Sequence, residues 1–103
     1  MDCVKLYYKD LLIGVLTYNS NDNKYIFVKN RFFENEYIKT VIGINDDKEI
    51  YYSPRLFSFF VSFLKRYGTG ESEDEYQELL NITKLNFDKN QFWIGAWEDD
   101  KYR

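Results

Sequence analysis

Histidine is missing from this chain of 103 residues, and cysteine and proline occur once each. Without histidine the chain lacks the commonest general base and the commonest metal ligand together. Cys3 stands alone, so an internal disulfide is excluded and a reducing compartment is the default. With no base evident beside it, Cys3 reads as a small apolar packing residue rather than a nucleophile. No apolar run approaches the ~20 residues of a membrane span, and the N-terminus lacks the basic-then-apolar pattern of a secretory signal. A cytoplasmic chain without membrane contact is expected. Phosphate-binding glycine patterns are missing too: Gly68-Thr69-Gly70 is short and is followed by acids, which would repel a phosphate. These absences argue against an enzyme and against any bound cofactor.

Hydrophobic residues make up 45% of the chain and aromatics 20%, enough for an ordered core despite 30% charge. One domain spanning 1–103 is expected. Charge is uneven. Residues 1–70 hold ten Lys/Arg against eight Asp/Glu, whereas residues 71–103 hold four against nine. The cations are scattered singly, so neither half has the clustered basic face of a nucleic-acid binder.

Along the chain, Val4, Leu6 and Tyr8 alternate with Lys5, Tyr7 and Lys9, the period of a strand with one buried face. Lys9-Asp10 reads as a tight turn and Leu11–Tyr18 as a second, central strand, with Gly14 marking a bulge or a close neighbour. The polar cluster 19–23 is a turn, and Lys24–Lys29 a third strand. Residues 30–37 fit a helical turn or an irregular loop. Thr40–Ile44 and Glu49–Tyr52 read as a short hairpin.

The stretch Ser53–Gly68 dominates the apolar content. Ser53 suits an N-cap, Pro54 the first helical position and Gly68 a left-handed C-terminal residue. Helical spacing gathers Leu56, Phe57, Phe59, Phe60, Phe63, Leu64 and Tyr67 on one face, with Arg55, Ser58, Ser62, Lys65 and Arg66 on the other. Ser72 and Glu75 match a capping box opening a second helix through Thr83. Residues 87–92 read as a third short helix before a terminal strand. The expected class is therefore α+β: a small antiparallel sheet, meander plus short hairpin, with two or three helices on one face.

The acidic run Glu71, Glu73, Asp74, Glu75 and Glu78 lacks the spacing of a calcium loop. It reads first as helix N-terminal electrostatics. Its sharper reading is mimicry of a nucleic-acid backbone, as in an acidic inhibitor or accessory protein of phage or mobile-element origin.

Three stretches carry a family likeness. Leu6–Leu16 (LYYKDLLIGVL), Lys24–Val28 (KYIFV) and the Phe-rich Ser53–Leu64 resemble the opening hairpin, aromatic strand and helix of the small N-terminal subdomain of HipA-type toxin kinases. The chain departs from that pattern in having no proline in Lys39–Tyr51 and in ending the helix with Leu64–Gly68 instead of Leu-Pro-Glu-Gly. A free-standing copy of the subdomain is similar to the HipS-like antitoxins of split toxin–antitoxin systems. The resemblance implies a non-catalytic binding module that restrains a HipT/HipA-type serine/threonine kinase, with a helix-turn-helix protein as a further partner. From residue type and expected exposure, Lys65, Arg66 and Tyr67 are the candidate contact surface, with Trp93 or Trp97 as an aromatic anchor.

Overall fold

A computed structural model describes residues 3–32, 48–70 and 73–96. Among the described residues, five strands and two helices follow in the order β1 (Val4–Tyr8), β2 (Leu11–Asn19), β3 (Lys24–Lys29), β4 (Ile50–Ser53), α1 (Ser58–Tyr67), α2 (Glu75–Ile82) and β5 (Phe92–Ala96). The strands form one open antiparallel sheet in the order β4-β3-β2-β1-β5. The fold is thus α+β, and the opening meander lies where the alternation placed it.

Gly14 fulfils both of its readings. Leu6 pairs with Gly14 while Tyr7 pairs with Leu12, so Ile13 is the extra residue of a bulge. A Cβ on Gly14 would also sit 2.5 Å from the Phe27 ring and 2.6 Å from the Val28 carbonyl oxygen.

One face of the sheet carries Val4, Leu6, Leu16 and Phe27, which are buried under the helices together with Ile13 and Ile94. Phe60 of α1 meets Phe27 at 5.9 Å, and Phe63 is buried beside it. Each such burial contributes roughly 1.5–3 kcal/mol. From α2, Leu79 and Ile82 enter the same core, and the Tyr76 hydroxyl donates to the Leu16 carbonyl at 3.3 Å. The alternate residues, among them Tyr7, Val15, Ile26, Tyr52 and Trp93, fall on the opposite face.

Several expectations are corrected. Ser53 is not a helix cap: it ends β4, paired with Tyr25, and its hydroxyl accepts from the Arg55 amide at 3.2 Å in a local turn. Helix α1 starts four residues later than expected, behind an extended Phe57 whose carbonyl takes the amides of Phe60 and Val61. Gly68 is not left-handed (φ −72°); it is small because a Cβ would lie 2.5 Å from the Leu64 carbonyl oxygen, and Gly70 (φ 75°) takes the left-handed turn.

The cap of α2 is Asp74, with its carboxylate accepting from the Tyr76 and Gln77 amides at 3.0 and 3.4 Å, and Ser72, the expected cap, lies outside the described residues. Nor do residues 87–92 form a helix. The Asp88 carboxylate takes the Asn90 amide (2.9 Å) and the Gln91 side chain (3.0 Å), holding a turn that hands the chain to β5. Of the expected hairpin, Glu49–Tyr52 overlaps β4, which pairs with β3; Thr40–Ile44 lies outside the described residues.

Candidate functional site

Helix α1 runs beside the start of β5, with its first turn in contact with that strand. Phe59 meets Phe92 edge-on at 5.1 Å, which fixes the helix against this edge strand. Phe59, Ser62, Phe63, Arg66 and Tyr67 of α1 then line a pocket of about 160 Å³ together with Gln91 and Phe92. Four of the lining residues are aromatic and three are polar.

Lys65 and Arg66 are exposed in the last helical turn, where cations complement the helix dipole. Neither has an ion-pair partner among the described residues. The Arg66 guanidinium lies 5.5 Å from the centre of the Tyr67 ring. Tyr67 itself is half-buried, packed against Phe63 at 5.6 Å and Phe87 at 5.0 Å. It is a wall of the pocket more than a free-standing anchor.

Trp93 lies elsewhere. Strand alternation turns Phe92 toward α1 and Trp93 to the opposite sheet face, where its indole stacks on Tyr7 (4.2 Å, 9°). Its Nε1 donates to the Lys9 carbonyl at 2.7 Å, and the Lys89 ammonium sits 4.8 Å from its ring centre. Trp93 therefore fastens β5 to the β1–β2 turn and does not join the cations of α1. Trp97 lies outside the described residues.

Of the expected contact residues, Arg66 and Tyr67 line this pocket and Lys65 does not; Ser62, Gln91 and Phe92, which line it, were not singled out from the sequence. Ser62 was within reach, because Phe59, Ser62, Phe63 and Arg66 share a helical stripe. Gln91 and Phe92 were not, because only the tertiary packing brings them there.

Two members of the acidic run have local work. Asp74 caps α2, and the Glu78 carboxylate, on a residue only 6% exposed, accepts from the amide (2.8 Å) and hydroxyl (3.1 Å) of Thr69. That carboxylate joins the loop after α1 to α2. Among the described residues no group of three or more potential ligands is placed to hold a metal, and no helix is long and apolar enough to cross a membrane. Comparison with known families and with curated proteins yields no match to this chain.

Proposed function

We propose that this chain is an antitoxin-like binding module that holds and restrains a separate HipT/HipA-type serine/threonine kinase, in the manner of a HipS-like protein. The observation that carries this reading is the end of α1, where two exposed cations without acidic partners among the described residues stand beside an open aromatic pocket. Arginine and aromatic side chains around a desolvated hollow are the composition from which protein-interface hot spots are made. The order of hairpin, aromatic strand and Phe-rich helix supports the likeness drawn from the sequence.

The test is phosphorylation of a protein substrate by a purified HipT-type kinase from the same host, measured with and without the chain. Wild-type chain lowers the rate, and reversing Lys65 and Arg66 to glutamate restores it. Reversing the exposed Glu73 and Glu75 to lysine leaves inhibition intact, with Asp74 kept because it caps α2. If the chain neither binds nor slows the kinase, the proposal is lost. If only the Glu73/Glu75 reversal abolishes its activity, toward a nucleic-acid-binding enzyme, the acidic mimic takes its place.

A further inference from the structure

We propose that the pocket between α1 and the start of β5 receives one apolar side chain of a partner protein, from a segment whose neighbouring residues are acidic. The inference rests on reading this surface as partner-binding, and adds the chemistry of the segment that docks there.

Size comes first. The pocket measures about 160 Å³, and an apolar cavity of about 150 Å³ accommodates a benzene ring. One leucine or phenylalanine side chain is of that order; a helix or a whole sheet edge is not. The lining is chemically matched, since Phe59, Phe63 and Phe92 offer apolar ring faces and edges.

Charge sets the flanking residues. Arg66 lines the pocket and Lys65 adjoins it, and neither is paired with a described carboxylate. The described acids around this end of α1 are Glu78, whose carboxylate takes the Thr69 amide and hydroxyl, and Asp88, whose carboxylate is engaged by the Gln91 side chain and the Asn90 amide. The hydrogen bonds to Asp88, Gln91 first, hold its carboxyl below the ordinary range. The carbonyls ending α1 disfavour an anion deep in the hollow. A carboxylate therefore pairs with the guanidinium at the rim while the apolar group fills the space below. Arg66, with its planar fork resting over the Tyr67 ring, is suited to hold such a carboxylate.

The experiment is calorimetric titration of the full chain with three blocked pentapeptides: one leucine flanked by two glutamates on each side, the same peptide with glutamines, and the acidic peptide with serine replacing leucine. The acidic leucine peptide binds saturably, the glutamine peptide about tenfold more weakly, and the serine peptide more weakly still. Arg66→Ala lowers affinity for the acidic leucine peptide to that of the glutamine peptide. Ser62→Trp fills the hollow from an exposed helical position whose hydroxyl bonds only to the Ser58 carbonyl, so the fold survives and binding is lost. An unchanged melting temperature confirms that Ser62→Trp is folded.

Equal binding of the leucine and serine peptides, or full affinity in folded Ser62→Trp, overturns the pocket. Equal binding of the glutamate and glutamine peptides overturns the acidic flank. No kinase is present in this titration, so its outcome is separate from that of the functional test. Peptide binding without kinase inhibition keeps the pocket and removes the antitoxin reading. Kinase inhibition that survives Ser62→Trp does the opposite.

Discussion

At Gly14 the fold has no room for a side chain, since the Phe27 ring and the Val28 carbonyl occupy the place a Cβ would take. Gly14→Ala must displace a core ring or spread two paired strands, and it is expected to cost about 2 kcal/mol, read as a lower denaturant midpoint. Tyr25 supplies a second prediction at this scale. Burial, with added repulsion from Glu75, Asp74 and Tyr18, pushes its phenol from 10.0 up to about 12. Unfolded, the same phenol ionises near 10. Its contribution to stability is therefore full below pH 10 and is lost as pH rises toward 12, because only the unfolded chain releases the proton in that window. Midpoints measured from pH 9 to 12 should fall less steeply for Tyr25→Phe than for wild type; parallel curves would refute the assignment. The glycine was legible from its place inside an apolar strand, whereas nothing in the sequence told Tyr25 apart from the other tyrosines, because its environment comes from α2.

Between elements, Glu78 makes a polar tie that reaches from α2 to the amide and hydroxyl of Thr69. Glu78→Ala leaves those donors without their carboxylate, and a loss of about 2 kcal/mol is expected. Asp74→Ala removes the helix cap and should cost about 1 kcal/mol. Thermal melts of the two variants rank these effects, and a cap variant weaker than the Glu78 variant would reverse the account. Elements were legible where period and burial agree, as in β1, β2 and β3. The starts of both helices were not, because serine before proline serves a turn as well as a cap, and several acids in a row offer several caps. Only packing decides between them: Ser53 was already committed to its pairing with Tyr25. For the candidate site, helical spacing was enough to place Lys65 and Arg66 outward, and no local pattern pointed to Gln91 or Phe92.

Across the whole molecule, the sheet is completed by its most distant strands in sequence, with Val4 paired to Ala96 and Tyr8 to Phe92. Local pattern carries no information about which edge a last strand chooses, so this adjacency was beyond the sequence. It makes stability a property of the full sheet. A chain ending at Gln91 uncovers Leu6 and lacks Ile94, both almost fully buried. Loss of the single cooperative transition in urea is the expected result, whereas a truncated chain that keeps the wild-type midpoint would show β5 to be dispensable. The indole of Trp93, laid flat on Tyr7 and hydrogen-bonded to Lys9 from 84 positions away, gives this union an optical signal. In a Trp97→Phe background its emission becomes a single-site gauge of whether the ends of the sheet are joined, so stopped-flow fluorescence can time that last closure while far-ultraviolet dichroism follows the helices.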